Sequence, residues 1–247
     1  MKHHNYCTGF TLAEVLITLG IIGIIAALTM PTLIANYQKK RTVTQLKATY
    51  SILNQAFEAA KADYGDMDNW DMDSYKGQTT GGKELFKSFT EKYFLPYIKP
   101  VKNYGITKFS NIGYEQIYYL NKNIDSNSLN SQKYIISLAN GSIVGLSLDT
   151  HCDEYKEDSD GNKICTSGHY YTSIYIIVDI NGIKKPNTIG KDIFVMSMSS
   201  NKFGFYRYPS SENKRDILLQ YCSKNSIENR HCGRLIQYDG WEIKYDW

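Results

Sequence analysis

The segment Val15–Ala35, VLITLGIIGIIAALTMPTLIA, is built almost wholly from Ile, Leu, Val, Ala and other uncharged residues. It belongs to a run of 24 uncharged positions that ends at the basic residues 39–41, KKR. A helix of this length spans about 30 Å, the thickness of the hydrocarbon core of a bilayer. The sequence therefore predicts a membrane-spanning helix near the start of the chain.

The residues just before this segment argue against a cleavable secretory signal, whose apolar region is normally about 7–15 residues long. Glu14 interrupts the apolar stretch that begins at Phe10. A carboxylate costs about 2.5–3.5 kcal/mol at the centre of a membrane span, so its presence indicates a function. The simpler interpretation places Glu14 in the first helical turn at the headgroup edge, where the helix dipole favours an anion.

The chain opens with the short polar stretch MKHHNYCTG, which ends in Gly9 and is followed by Phe10, Thr11 and Glu14. This G-F-T-L-x-E arrangement, with the apolar run after it, resembles the prepilin signal of type IV pilins and type II secretion pseudopilins over about the first 35 residues. The resemblance implies cleavage after Gly9 by a membrane-embedded aspartyl peptidase and methylation of the new amino terminus, Phe10. It also implies that Glu14 pairs with the amino terminus of a neighbouring subunit during filament assembly.

The same resemblance implies a division of the chain into a leader, 1–9, a transmembrane and assembly helix, 10–35, and an extracytoplasmic globular domain, 36–247. The expected location is the bacterial inner membrane, with a single pass, and then a pilus or pseudopilus. The expected partners are prepilin peptidase, other pilin or pseudopilin subunits, an inner-membrane assembly platform and the lipid bilayer. The positive-inside rule opposes this orientation, because it would place residues 39–41 in the cytoplasm.

Apolar residues continue beyond the span with helical spacing. They form one stripe on a helix, and their positions are Val43, Leu46, Tyr50, Leu53, Phe57 and Ala60. Because Gly65 suits a helix C-terminus, we predict one helix over about 10–63, followed by a shorter helix over 83–97.

Strand signals dominate the rest of the chain. Runs rich in Ile, Tyr, Val and Phe predict strands at 115–120, 133–138, 142–148, 170–180, 192–198 and 203–208. A short helix is expected at 212–221, and two further strand-like segments, 235–238 and 241–244, flank an Asp-Gly turn. One long helix followed by an antiparallel sheet is an α+β layout, and the resemblance implies that the helix packs on the sheet as in pilins.

Five cysteines are present, of which Cys7 lies in the expected leader. Cleavage of the leader would leave four cysteines, and an even number of cysteines in a domain outside the cytoplasm indicates disulfides. We expect Cys152 to pair with Cys165 and Cys222 with Cys232, because short loops close most easily. A zinc site at His151, Cys152, Cys165 and His169 is the alternative, although adjacent ligands rarely reach one tetrahedral ion.

Two acidic segments raise the question of calcium. The cluster at Asp66, Asp68, Asp71 and Asp73 lacks the glycine and distal glutamate of an EF-hand loop, which favours a solvated loop. The segment 179–194, DINGIKKPNTIGKDIF, offers oxygen ligands from Asp179, Asn181 and Asp192, and some pseudopilins bind calcium in a late loop. A turn capped by Asx side chains is the favoured interpretation, so we predict no metal.

The 247 residues include 42% hydrophobic and 21% charged residues, a balance that excludes intrinsic disorder. No catalytic motif and no phosphate-binding glycine loop is present, so we predict neither an enzyme nor a cofactor.

The preferred function is a structural filament subunit, pilin or pseudopilin. One alternative is a competence-type pilin that binds DNA through a basic C-terminal cluster, whose members are Lys214, Arg215, Lys224, Arg230, His231 and Arg234. Nucleic acid is not an expected partner, because acidic residues dilute this cluster. The other alternative is a membrane-anchored surface protein that never assembles.

Overall fold

The computed structural model describes residues 11–70, 82–152, 155–157, 163–165, 170–199, 202–206, 214–226 and 228–246. The chain divides into two compact units, Met1–Arg41 and Thr42–Trp247. A single helix, α1 (Leu12–Tyr64), supplies the described part of the first unit and the beginning of the second. Pro31 lies inside α1, where the missing N–H leaves the carbonyl of Ala27 without its usual helical partner.

The second unit is built around a six-stranded antiparallel sheet with the strand order β1-β2-β3-β6-β7-β8. Its strands are β1 (Lys102–Thr107), β2 (Lys133–Ser137), β3 (Ile143–Cys152), β6 (Tyr170–Asp179), β7 (Ile193–Ser199) and β8 (Lys202–Phe205). Two short strands between β3 and β6, β4 (Tyr155–Glu157) and β5 (Lys163–Cys165), pair with each other as a separate ribbon. Chain neighbours are mostly sheet neighbours, as hairpin connections require.

One face of the sheet packs against the second half of α1. The stripe predicted from the sequence supplies the helix side of this core, because Leu46, Leu53, Phe57 and Ala60 are fully or almost fully buried. The sheet side consists of alternate residues from the central strands, among them Tyr134, Ile136, Val144, Leu146, Ile176 and Met196. The period of two along each strand directs these side chains to the same face.

The second face of the sheet carries a smaller core, formed with the segment that connects β1 to β2 and with the loop before β7. Ile135, Ile177 and Ile193 project from this face and pack with Phe109 and Ile117. Gly145 lies beneath the ring of Phe109, where a Cβ atom would come within 2.8 Å of the ring. The absence of a side chain in the middle of β3 therefore lets the aromatic ring approach the sheet.

The described part of the second unit also contains the short helices α2 (Gly82–Tyr93), α3 (Leu95–Ile98), α4 (Ser126–Asn130), α5 (Arg215–Tyr221) and α6 (Cys232–Tyr238). The architecture confirms the predicted α+β, pilin-like class, with the long N-terminal helix and the antiparallel sheet. The structure differs from the sequence-based expectations in several places. The segment 115–120 forms only isolated bridges at Tyr118. The segment 235–238 is helical, the segment 241–244 belongs to no strand, and β1 was not predicted.

Candidate functional site

The start of α1 is closed by a reciprocal pair of side chains, Thr11 and Glu14. The backbone N–H and the hydroxyl of Thr11 donate to Oε2 of Glu14 at 2.8 Å and 2.7 Å, and the Glu14 N–H donates to Oγ1 of Thr11 at 3.3 Å. This is a capping box, which satisfies N–H groups that the first helical turn leaves open. It also holds a carboxylate at the positive end of the helix dipole.

The capping box agrees with the simpler interpretation of Glu14, a carboxylate in the first turn of the helix. Its signal was present in the sequence as the spacing T-x-x-E at residues 11–14, which predicts this geometry. Gly9 and Phe10, the expected cleavage and methylation positions, lie outside the described residues. The roles of Gly9, Phe10 and Glu14 in processing and assembly therefore stay predictions.

The helix beyond the cap exposes an almost continuous apolar surface. Large apolar side chains are more than two fifths exposed along the whole stretch, and they include Leu12, Ile17, Ile22, Ile24, Leu28 and Leu33. The first buried residue of α1 is Leu46. The hydroxyls of Thr18 and Thr29 donate to helix carbonyls at 2.9 Å, so they need no water partner. The helix is long and apolar enough to cross a membrane.

Near the C-terminus, a disulfide joins Cys222, just after α5, to Cys232, the first residue of α6. Both sulfurs belong to fully buried residues. Asn229 fastens the enclosed loop: its Nδ2 donates to the carbonyl of Tyr221 at 2.9 Å, and its Oδ1 accepts from the N–H of Leu120 at 2.7 Å. The disulfide and this amide together fix the loop against the segment before α4.

The second expected pair, Cys152 with Cys165, involves side chains outside the described part of the chain. The zinc alternative at His151, Cys152, Cys165 and His169 lies outside it as well. Within the described residues, no three His, Cys, Asp or Glu side chains form a group that could hold a metal ion.

Three of the six basic residues named above for the C-terminal region are engaged inside the fold. The guanidinium of Arg215 binds both carboxylate oxygens of Asp239, at 2.6 Å and 2.9 Å. His231 is fully buried, and burial lowers the pKa of its imidazole. Arg230 turns toward Asp125, with Nη2 3.9 Å from Oδ2. The charges available for a nucleic acid are thus fewer than the sequence suggests.

The loop between β6 and β7 uses both of its aspartates as internal acceptors. Asp192 accepts from the backbone N–H groups of Asn187 and Thr188 at 2.9 Å and 2.6 Å. Asp179 accepts from the hydroxyl of Tyr114 at 2.7 Å and from the N–H of Asn181 at 3.1 Å. Burial raises the pKa of both carboxyl groups, and the negative charge of Asp192 raises the pKa of Asp179 further. This is the geometry of a turn capped by Asx side chains.

Residues 4–30 match the prokaryotic N-terminal methylation motif. Together with the pilin-like fold, this match defines the class: the chain carries the prepilin signal of type IV pilin-like proteins, as the sequence predicts. Residues 32–247 match a family of unknown function, DUF6613. The chain therefore belongs to the DUF6613 family. Comparison with curated proteins gives no match, and comparison with solved structures gives none.

Proposed function

We propose that this protein is a minor subunit, pilin or pseudopilin, of a type II secretion or type IV pilus filament. The observation that carries the proposal is the methylation motif at residues 4–30 together with a helix that exposes its large apolar side chains from Leu12 to Ile34. A type IV pilin-like subunit processed by prepilin peptidase needs both features. The processed chain is large for a major subunit, which favours a minor or specialised one.

In this proposal, residues 1–9 are the leader, 10–35 the assembly helix and 36–247 a globular domain outside the cytoplasmic membrane. Before assembly, lipid covers the exposed apolar side chains of the helix. In the filament, the helices of neighbouring subunits cover them. Helix packing of this kind relies on close van der Waals contact, because lipid tails are as apolar as the side chains themselves.

Glu14 has a specific task in the proposed assembly step. Cleavage after Gly9 creates a cationic amine at Phe10, and methylation leaves its charge in place. The carboxylate of Glu14 in an adjacent subunit would pair with this amine. Both ions are expensive when unpaired in hydrocarbon, so pairing favours the assembled state.

The protein acts mechanically in this scheme and is itself a substrate of prepilin peptidase. The partners that follow are other pilin or pseudopilin subunits and an assembly platform in the inner membrane. The prepilin motif and the fold favour a structural, non-enzymatic subunit over an enzyme. The pairing of Arg215 and Arg230 with aspartates and the burial of His231 weigh against the DNA-binding alternative.

The first test is the mass of the N-terminal peptide of protein recovered from its native membrane fraction. The expected peptide begins at Phe10 and carries one extra methyl group. A Gly9→Leu variant is the control, and it should retain Met1 because the peptidase no longer accepts the site. An intact Met1 in the wild-type chain would favour a static membrane anchor, and a cut near Ala35 would indicate a secreted domain.

The second test separates a filament subunit from an anchor. Glu14→Gln keeps the size and the acceptor oxygen of the side chain but removes its charge. We expect the variant to be cleaved and held in the membrane but not to enter sheared filaments. Thr11→Val is the matched control, because it removes the capping hydroxyl and leaves the carboxylate charged. Normal incorporation of Glu14→Gln would contradict the assembly role.

A further inference from the structure

A polar cavity of about 220 Å³ lies in the second unit, on the sheet face opposite α1. It is lined mainly by side chains that can donate hydrogen bonds, with few apolar groups. Its polar lining comes from four parts of the chain, and includes Ser128, Ser131, Lys133, Ser147, Tyr175 and Arg230. Such a lining differs from the apolar pockets that usually bind uncharged small molecules.

The floor of the cavity is a row of side chains across three neighbouring strands. Ser147 in β3 is paired with Tyr175 in β6, and Lys133 in β2 comes next to Ser147, because the following residue of β2 pairs with Leu146. Lys133 is only 3% exposed. Its ammonium group donates to the carbonyls of Ser128 and Ser131 at 3.1 Å and 3.3 Å, and to the hydroxyl of Ser131. All three acceptors are neutral.

Arg230 closes the cavity from the loop that the Cys222–Cys232 disulfide holds. Its Nη2 donates to the hydroxyl of Tyr119 at 3.4 Å, and its guanidinium carbon lies 5.9 Å from the ring centre of Tyr175. Within the described part of the chain, Nε of Arg230 and the hydroxyl of Tyr175 are buried and have no hydrogen-bond partner. A buried donor without an acceptor costs about 1–3 kcal/mol, so two of them on residues that line one cavity call for an explanation.

Among the described residues, the charges around the cavity do not balance. Lys133 and Arg230 are both cationic, and the described carboxylate that acts on both is that of Asp125. Its oxygens already accept from the N–H and the hydroxyl of Ser128, at 3.0 Å and 2.5 Å. Burial lowers the pKa of Lys133 to about 8, as expected for a cation without a full counter-charge. An additional anion would compensate the excess positive charge.

We propose that this cavity binds a phosphate group, either free or as the monoester of a small carrier. The lining residues come from the sheet, from the α4 region and from the disulfide loop, so they surround one bound anion with two cationic side chains and with the donors of Arg230 and Tyr175 that have no partner among the described residues. Arginine and lysine are the side chains that phosphate recognition commonly uses. The volume is small beside ordinary ligand pockets, which fits a single charged group.

The test is an isothermal titration of the full chain, in detergent and with the disulfide intact, at pH 7 in about 0.15 M NaCl to screen surface charge. The two titrants are inorganic phosphate and glycerol 3-phosphate. We expect saturable binding with one site per chain. Equal affinity for the two titrants identifies the free anion as the ligand, and tighter binding of the ester identifies a phosphate carried on a larger molecule.

Three variants decide whether the cavity is the site. Tyr175→Phe removes only the unpartnered hydroxyl and keeps the ring, so it should fold normally and weaken binding by roughly tenfold. Arg230→Gln should weaken binding at least as much. Lys224→Gln is the matched control, because it removes the same charge from an exposed position of the same loop and should bind as the wild type does.

The absence of saturable binding to the wild type would overturn the proposal, as would unchanged affinity in Tyr175→Phe and Arg230→Gln. An equal loss in Lys224→Gln and Arg230→Gln would also overturn it, since that result indicates attraction by net charge alone. Because the titration measures single chains, its result is independent of whether the protein assembles into a filament.

Discussion

Replacing Lys133 by Met should change how the stability of the second unit depends on pH. Burial lowers the pKa of Lys133 from 10.5 to about 8 in the folded chain, and this difference corresponds to about 3 kcal/mol. Between these two pKa values the unfolded chain binds more protons than the folded one. The free energy of unfolding contributed by Lys133 therefore rises with pH, by about 1.4 kcal/mol per pH unit. Below the folded pKa both states are protonated, and the contribution is constant.

The charged groups that face Lys133 are Asp125 and Arg230, which shift its pKa in opposite directions. Tyr119 and Tyr175 stay neutral in the relevant range, because burial raises the pKa of each. All four are present in Lys133→Met, so their own titrations largely cancel in the difference between the two proteins. The hydrogen bonds lost in the variant add an offset that is the same at every pH.

The assay is urea unfolding of the full chain in detergent, followed by tryptophan fluorescence. Trp70 is buried and Trp241 is half-buried, and both belong to the second unit. Between pH 8 and about pH 9.5, we expect the free energy of unfolding of the wild type to rise by about 2 kcal/mol relative to that of Lys133→Met. Parallel pH curves for the two proteins would refute the reasoning, since they would mean that Lys133 titrates alike in the folded and unfolded chains.

Three further predictions use the same assay. Gly145→Ala places a methyl group against the ring of Phe109 and should lower the free energy of unfolding by about 1–3 kcal/mol, whereas Gly204→Ala, in open space on β8, should change it little. Cys222→Ser removes a cross-link between residues ten positions apart and should lower the free energy of unfolding by roughly 3 kcal/mol relative to the oxidised wild type. Equal urea midpoints for the variant and the oxidised wild type would contradict this. In Asp179→Asn, the free energy of unfolding should depend less on pH than in the wild type. Burial raises the pKa of the Asp179 carboxyl in the folded chain, so the contribution of this group to the free energy of unfolding is fully present at about pH 4 and declines as pH rises through that pKa. If the wild type instead became more stable relative to Asp179→Asn above pH 4, the prediction would be wrong.

The sequence predicted the parts of the fold that depend on local periodicity. The apolar stripe of α1 was readable because 3.6 residues per turn place Leu46, Leu53 and Phe57 on one face, and these are the residues that the sheet buries. The uncharged run predicted the membrane-spanning helix in the same way. The hairpin between β2 and β3 followed from the Asn140-Gly141 turn.

The predictions failed where distant partners decide the local structure. The segment around Tyr118 has the composition of a strand, but its backbone bonds to Asn187 and Ile189 in another loop rather than to a strand. The segment 235–238 has apolar residues suited to a strand, but it is helical and follows directly from the disulfide at Cys232. β1 was missed because Gly105, with a positive φ and a register shift beside it, interrupts the alternation of the strand.

The cavity was beyond the reach of sequence reasoning for a related reason. Lys133 looked like an ordinary polar residue at the start of a strand, and Arg230 looked like one member of a surface cluster. Their proximity is produced by the order of the strands and by the disulfide loop, which brings together residues about a hundred positions apart. The spacing of residues in the sequence does not predict a contact of this kind. By contrast, the Thr11–Glu14 pair has a short spacing that predicts its geometry.

The three hydrogen bonds of the capping box at the start of α1 join atoms of Thr11 and Glu14. If the leader is removed after Gly9, one residue remains ahead of the cap, and the first turn keeps its side-chain closure. Precursor and product would then share the same closure of the first helical turn and differ in the leader and in the charge at Phe10. A machine that distinguishes processed subunits from precursors would therefore have to sense the leader or the new amine, because the start of the helix is the same in both.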